Sequence, residues 1–140
     1  MKRGASAVWK KGLKDGSGTM SVNSGAFRDL AYSFTTRFEG TPGTNPEELI
    51  AAAEAACFSM AFSAELGKAG ITPESVETKA TADFDKMEAG WGIKSIHLET
   101  TAKVPGADKA KVQEAAEAAR KGCPIARLLN TQITLDLKIA

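Results

Sequence analysis

Residues Thr44 to Leu66, TNPEELIAAAEAACFSMAFSAEL, constrain this chain more than any other stretch. They read as one helix with almost no polar face. Asn45 is of N-cap type, Pro46 suits the first helical position, where a missing N–H costs nothing, and Glu48 can reach back to close a capping box. After that start, only Glu54, Ser59, Ser63 and Glu65 interrupt a run of apolar side chains that includes Leu49, Ile50, Phe58, Met60, Phe62 and Leu66. A helix apolar on nearly every side belongs inside a core, so this one is expected to be long, central and buried. Running over 45–69, with Gly70 as a left-handed C-cap, it measures about 36 Å at ~1.5 Å per residue. The rest of the fold has to be arranged around it.

Before the helix, residues 5–38 read as a three-strand meander. Val8 and Trp9 on one side, and Met20 and Val22 on the other, flank the glycine-rich turn Gly12-Leu13-Lys14-Asp15-Gly16-Ser17-Gly18. Ala31 to Phe38 alternates, with Tyr32, Phe34, Thr36 and Phe38 on one face, the pattern of a half-buried third strand. After Thr72-Pro73 comes a hairpin over 75–104. Val76, Thr78, Ala80, Ala82 and Phe84 alternate on its first strand, and Ile96, Leu98, Thr100, Ala102 and Val104 on its second. Residues 108–121 form an alanine-rich helix with Gly122 as the expected C-cap, 124–130 a short helix opened by Pro124, and 131–139 a last strand. Strands and helices come in separate runs. The expectation is therefore one α+β domain over residues 1–140, with antiparallel sheets packed around the central helix.

The charge balance narrows the partners. Eighteen Lys and Arg against 17 Asp and Glu leave a net charge of +1, which provides no footprint for nucleic acid or an anionic membrane. No apolar run follows Met1, Lys2 and Arg3, and the longest apolar stretch is broken by Glu54, so neither a signal peptide nor a membrane span is expected. A cytoplasmic location follows as an expectation. Gly16-Ser17-Gly18 fails the dinucleotide fingerprint, because Ser21 stands where a third glycine is required and the segment joins two strands. Two distant cysteines and one histidine do not make a zinc site, and no bound metal or cofactor is expected. His97 falls on the polar parity of its strand and reads as a solvated histidine.

That leaves the cysteines. Cys57, in the middle of the apolar helix, has the surroundings of an inert packing thiol with a raised pKa. Cys123 stands before a proline at the start of a short helix, with Arg120 and Lys121 close in sequence, where dipole and charge favour a thiolate. In a reducing compartment such a pair is either chemistry or packing rather than a staple. Arg37 by itself reads as a strand arginine, and Glu47 as a carboxylate stabilised at a helix N-terminus.

Four segments together resemble the OsmC/Ohr family of thiol-dependent organic hydroperoxide reductases, in particular its osmotically inducible protein C branch. They are FTTRFEG at Phe34 to Gly40, GTNPEELIAAAEAACFSMA at Gly43 to Ala61, GCPIARLL at Gly122 to Leu129 and ITLDL at Ile133 to Leu137. The resemblance implies an intertwined homodimer in which Cys57 is the peroxidatic nucleophile and Cys123 the resolving thiol. It also implies a Cys57–Cys123 disulfide intermediate, a site completed by Arg37 and Glu47, and an external dithiol reductant, of dihydrolipoyl type.

Helix geometry adds a condition to that assignment. Glu47 and Cys57 are separated by about 15 Å along one straight helix, so a compact site needs a second chain to contribute. Apolar side chains around Cys57, namely Phe58, Met60 and Phe62, are expected to line a site for organic hydroperoxides. The expected function is thus a stress-defence peroxidase. Two other classes stay open: a stress-associated binding protein with inert thiols, and a dithiol–disulfide oxidoreductase acting on protein partners.

Overall fold

The computed structural model describes residues 1–140 and divides into two compact units, residues 1–49 and 50–140. The first unit is built on an antiparallel sheet of β1 (Ala5–Lys10), β2 (Ser17–Val22) and β3 (Leu30–Ser33), with β2 in the middle. Gly18 lies in register between Trp9 and Tyr32, whose rings stack across it at 5.3 Å. A Cβ at Gly18 would fall 2.5 Å from the Tyr32 ring, so only glycine admits this aromatic pair.

The expected third strand, 31–38, is cut in half. After Ser33 the chain turns into a short helix, α1 (Phe34–Phe38). The reason is a local capping box that strand alternation conceals: the Thr36 N–H donates to Ser33 Oγ at 3.2 Å, and the Ser33 N–H donates to Thr36 Oγ1 at 3.0 Å. The Thr36 hydroxyl also donates to the Thr44 carbonyl at 3.0 Å, which fixes the segment leading to the next helix.

That helix, α2 (Pro46–Lys68), starts as expected, with the Glu48 N–H donating to Asn45 Oδ1 at 2.8 Å. It ends in a Schellman turn: Gly70 has φ +74°, its N–H reaches the Gly67 carbonyl at 3.0 Å, and the Ile71 N–H reaches Leu66 at 2.9 Å. Burial departs from expectation. Only the stripe Ala51, Glu54, Phe58, Phe62 and Leu66, preceded by Glu47, is enclosed, while Ala52, Ala53, Ala56, Met60 and Ala64 face outward. The helix is long and apolar enough to cross a membrane by length and composition (mean hydropathy 1.4), yet that stripe packs into a protein core.

The second unit carries the sheet β4 (Ser75–Met87), β5 (Gly90–Lys103) and β6 (Gln132–Ile139), with β5 central. The β4–β5 hairpin closes tightly, Met87 pairing Gly90. Ile96, Leu98, Thr100, Ala102 and Val104 all point inward, as their alternation predicts. One expectation is corrected: β6 pairs with β5 in parallel, not antiparallel. A parallel partner requires a long crossover, and α3 (Lys109–Gly122) and α4 (Pro124–Leu128) supply it. Gly122 is the last helical residue of α3 rather than its cap. Cys123 takes that place with φ −55°, ψ 126° and serves at once as the N-cap of α4. Phe58, Phe62 and Leu66 of α2 meet Ile96 and Leu98 of β5, Ile133 of β6, and Val112, Ala115, Ala116 and Ala119 of α3 in one core.

Candidate active site

The α3–α4 junction and the middle of α2 bring the two cysteines together. Cys57 and Cys123, 66 residues apart in sequence, form a disulfide within one chain, with Cα atoms 6.1 Å apart. Pro124 enforces extended backbone at Cys123 and so ends α3 at that point. The Cys123 N–H closes the last turn of α3 onto the Ala119 carbonyl at 2.9 Å. Cys123 is fully buried, whereas Cys57 is half-buried.

Beside the pair lies a residue that sequence reasoning recorded only as a polar interruption of α2. Glu54 is wholly buried, and its Oε2 lies 3.8 Å from Cys123 Sγ while Oε1 has no hydrogen-bond partner. Burial pushes its carboxyl above the ordinary range. The available signal was its spacing: an acid three residues before Cys57 shares that cysteine's side of the helix.

The cations expected to favour a Cys123 thiolate are engaged elsewhere. Arg120 donates through Nε and Nη2 to the two Glu117 carboxylate oxygens at 2.9 and 2.6 Å, and through Nη1 to the Ile133 carbonyl at 2.8 Å. Lys121 is 3.3 Å from Glu117. The Arg120 guanidinium, through its hydrogen bonds, draws the Glu117 carboxyl down to about 2.

In the first unit, α1 and the start of α2 hold a second constellation. Arg37 donates through Nε and Nη2 to the same Glu47 oxygen, Oε1, at 2.9 and 2.7 Å. The other oxygen, Oε2, is buried without a partner. The guanidinium also lies 5.2 Å from the Phe38 ring centroid, within cation–π range. A cavity of about 210 Å³ adjoins it, lined by Trp9, Leu13, Tyr32, Phe34 and Phe38.

Of the three apolar residues expected around Cys57, Phe58 and Phe62 are brought together, with ring centroids 5.7 Å apart, but Met60 is not. Phe58 and Phe62 are fully enclosed in the core of the second unit, and Met60, 79% exposed, faces the other way. Phe58 and Phe62, four residues apart, share one helix face, whereas Met60, two residues from each, is turned to the opposite side. His97 is not simply solvated: Nδ1 lies 2.7 Å from Thr134 Oγ1 and Nε2 3.2 Å from Asp136, tying β5 to β6. No group of three or more His, Cys, Asp or Glu side chains is placed to hold a metal ion.

A family model described as OsmC-like protein matches residues 38–138. The chain belongs to the OsmC family. It is 47% identical over 133 residues to peroxiredoxin OsmC of Escherichia coli strain K12, covering 95% of this chain and 93% of that protein. It is 33% identical over 102 residues to an organic hydroperoxide resistance protein of Xanthomonas axonopodis pv. citri, covering 72% of this chain and 70% of the relative. The fold matches an OsmC-like protein of unknown function from Vibrio cholerae with a TM-score of 0.77 at 17% identity, over 98% of this chain and 99% of that one. OhrB of Bacillus subtilis, an organic hydroperoxide resistance protein, gives 0.68 at 24% identity, over 98% of each chain. The OsmC-family segment thus includes both cysteines and Glu47, and begins one residue after Arg37.

Proposed function

We propose that this OsmC-family protein is a thiol peroxidase that reduces organic hydroperoxides to alcohols in stress defence. The observation that carries the reading is the Cys57–Cys123 disulfide in a chain whose relatives are named peroxiredoxin and organic hydroperoxide resistance protein. Cys57, the more accessible thiol and the one on the long helix, attacks the distal oxygen of the hydroperoxide as a thiolate. An alcohol leaves and a sulfenic acid remains on Cys57. Buried Cys123 then condenses with it, water is released, and the disulfide protects Cys57 from further oxidation. An external dithiol, of dihydrolipoyl type, restores both thiols in the cytoplasm.

Arg37 supplies the positive charge that holds Cys57 ionised despite burial, and Glu47 fixes the guanidinium with two hydrogen bonds. The rise of α2 separates Glu47 from Cys57, so Arg37 and Glu47 serve the Cys57 of a second copy. The outward face of α2, with Ala52, Ala53, Ala56, Met60 and Ala64, supports that arrangement, because a two-fold partner would cover an apolar surface this chain leaves open. The aromatic cavity beside Arg37, together with Met60, supports a preference for organic over inorganic peroxide.

The test is thiol counting and mass spectrometry of the reduced protein after one equivalent of cumene hydroperoxide. The parent should yield a Cys57–Cys123 disulfide, Cys123→Ser a sulfenic acid on Cys57, and Cys57→Ser no reaction. Free thiols surviving in the parent would overturn the peroxidase reading in favour of a binding role, and disulfide exchange with protein partners in the absence of peroxide consumption would favour an oxidoreductase.

A further inference from the structure

The peroxidase cycle leaves one buried ionisable group unused. Glu54 is fully enclosed, has one oxygen without any hydrogen-bond partner, and places the other 3.8 Å from the sulfur of Cys123. A buried carboxyl without a partner is costly to keep, which makes its position beside a reacting sulfur informative. Cys123 also has a problem that its own surroundings do not solve. Its thiol must lose a proton to attack and regain one on reduction, yet it is fully buried from water. Arg120 and Lys121 are held by Glu117, and the short helix α4 has no side-chain cap.

We propose that Glu54 is the proton carrier of the resolving thiol, taking the Cys123 proton as the disulfide closes and returning it to the same sulfur when the disulfide is reduced. The inference rests on the peroxidase reading above. In the reduced protein Cys123 donates its S–H to the Glu54 carboxylate. As the proton passes to Oε2, the Cys123 sulfur attacks the Cys57 sulfur, an S–S bond forms, the S–O bond of the sulfenic acid breaks, and the departing hydroxide takes a solvent proton to become water. On regeneration an external thiolate attacks Cys57, the S–S electron pair leaves on Cys123, and the Glu54 carboxylic acid protonates it.

The redox state itself tunes the carrier. With Cys123 in the disulfide, no S–H is present to stabilise the carboxylate, and burial then raises the carboxyl pKa, which favours holding the proton for the return step. No cation of this chain forms an ion pair with Glu54. The ion pairs of the elements packed against α2 join Lys79 to Glu99, Lys94 to Asp83 and Asp85, and Arg120 and Lys121 to Glu117, and the His97 ring lies against Asp136. Within this chain the titratable group within reach of Glu54 is Cys123, whose disulfide partner is Cys57, and in the dimer proposed above the guanidinium of a second copy's Arg37 approaches Cys57.

The experiment is rapid-quench mass spectrometry of the reduced protein with one equivalent of cumene hydroperoxide, timing sulfenic acid formation and disulfide closure separately between about pH 5 and 9. In the parent, closure should be nearly independent of pH through the neutral range. In Glu54→Gln, closure at neutral pH should slow by about a hundredfold and then climb tenfold per pH unit as hydroxide replaces the carboxylate, with sulfinic acid accumulating on Cys57. Glu54→Asp, which keeps the acid, should retain the flat profile at a lower rate. Closure in Glu54→Gln at the parent rate and profile would overturn the proposal. So would equal slowing in both variants with an unchanged pH profile, the mark of a merely structural residue. A parent that forms sulfenic acid and disulfide while Glu54→Gln behaves normally refutes only the proton carrier. A parent that forms neither refutes the peroxidase reading beneath it.

Discussion

Residues 50–140 close an apolar core around Phe58, Phe62, Leu66, Ile96 and Leu98, whereas residues 1–49 bury only Gly18 and Glu47, a glycine and a carboxylate. The first unit is held by an aromatic stack, strand pairing and one ion pair, and leaves Val8 and Leu13 exposed. The chemistry divides the same way. The sulfur atoms that would exchange electrons sit in the unit with the core, and the charge that would activate them sits in the unit without one. A rigid core is suited to holding two sulfurs in bonding register, while a guanidinium acts over several ångströms and tolerates a looser mount.

Four substitutions test that division, the largest effect first. Phe62→Ala removes a ring from the closed core and should cost about 3–5 kcal/mol, whereas Val8→Ala on the exposed sheet should stay within about 0.5 kcal/mol. Urea unfolding of both variants checks this, and equal losses would show that the first unit has a packed interior of its own. Next, Arg37→Ala leaves the buried Glu47 carboxylate without a partner and so should lower stability, and it should slow peroxide consumption about a hundredfold and raise the Cys57 thiol pKa, read from thiolate absorbance in a Cys123→Ser background. A normal Cys57 pKa in that variant would remove the first unit from the chemistry.

The smallest effect concerns Glu54 in the oxidised protein. Its carboxyl pKa is raised on folding from 4.5, so the unfolded chain releases the proton first as pH rises. The ionisation part of its burial cost is therefore absent below pH 4.5, grows above that value, and levels off once pH exceeds the folded pKa. Glu54→Gln should accordingly raise the Tm of the disulfide form at neutral pH, with the gain shrinking as pH falls towards the ordinary carboxylate range. A gain independent of pH would mean that folding does not raise the Glu54 carboxyl pKa.

How much of this was legible beforehand depends on the range of the interaction responsible. The start and end of α2 could be read directly, because Asn45, Pro46 and Gly70 act on backbone groups within a turn of themselves. The inward face of β5 was equally plain from alternation. The helix α1 was not, since Tyr32, Phe34, Thr36 and Phe38 alternate like a strand and the Ser33–Thr36 box outweighs that pattern over only five residues. The parallel pairing of β6 was hidden for a different reason: alternation records which face a strand buries, not the direction of its neighbour.

The candidate site divides along the same line. Cys57, Cys123, Arg37 and Glu47 were recognisable from their local segments, and the Arg37–Glu47 ion pair joins two elements separated by a short loop. The loss of Phe58 and Phe62 to the core was not recognisable, nor was the capture of Arg120 by Glu117. By itself the sequence determined most of the elements and singled out the candidate reactive residues, because capping, alternation and segment motifs are local. Only the tertiary structure decided which face of α2 is enclosed, that the two sulfurs meet within one chain, and that Glu54 stands unpaired beside Cys123, because each depends on contacts between segments far apart along the chain.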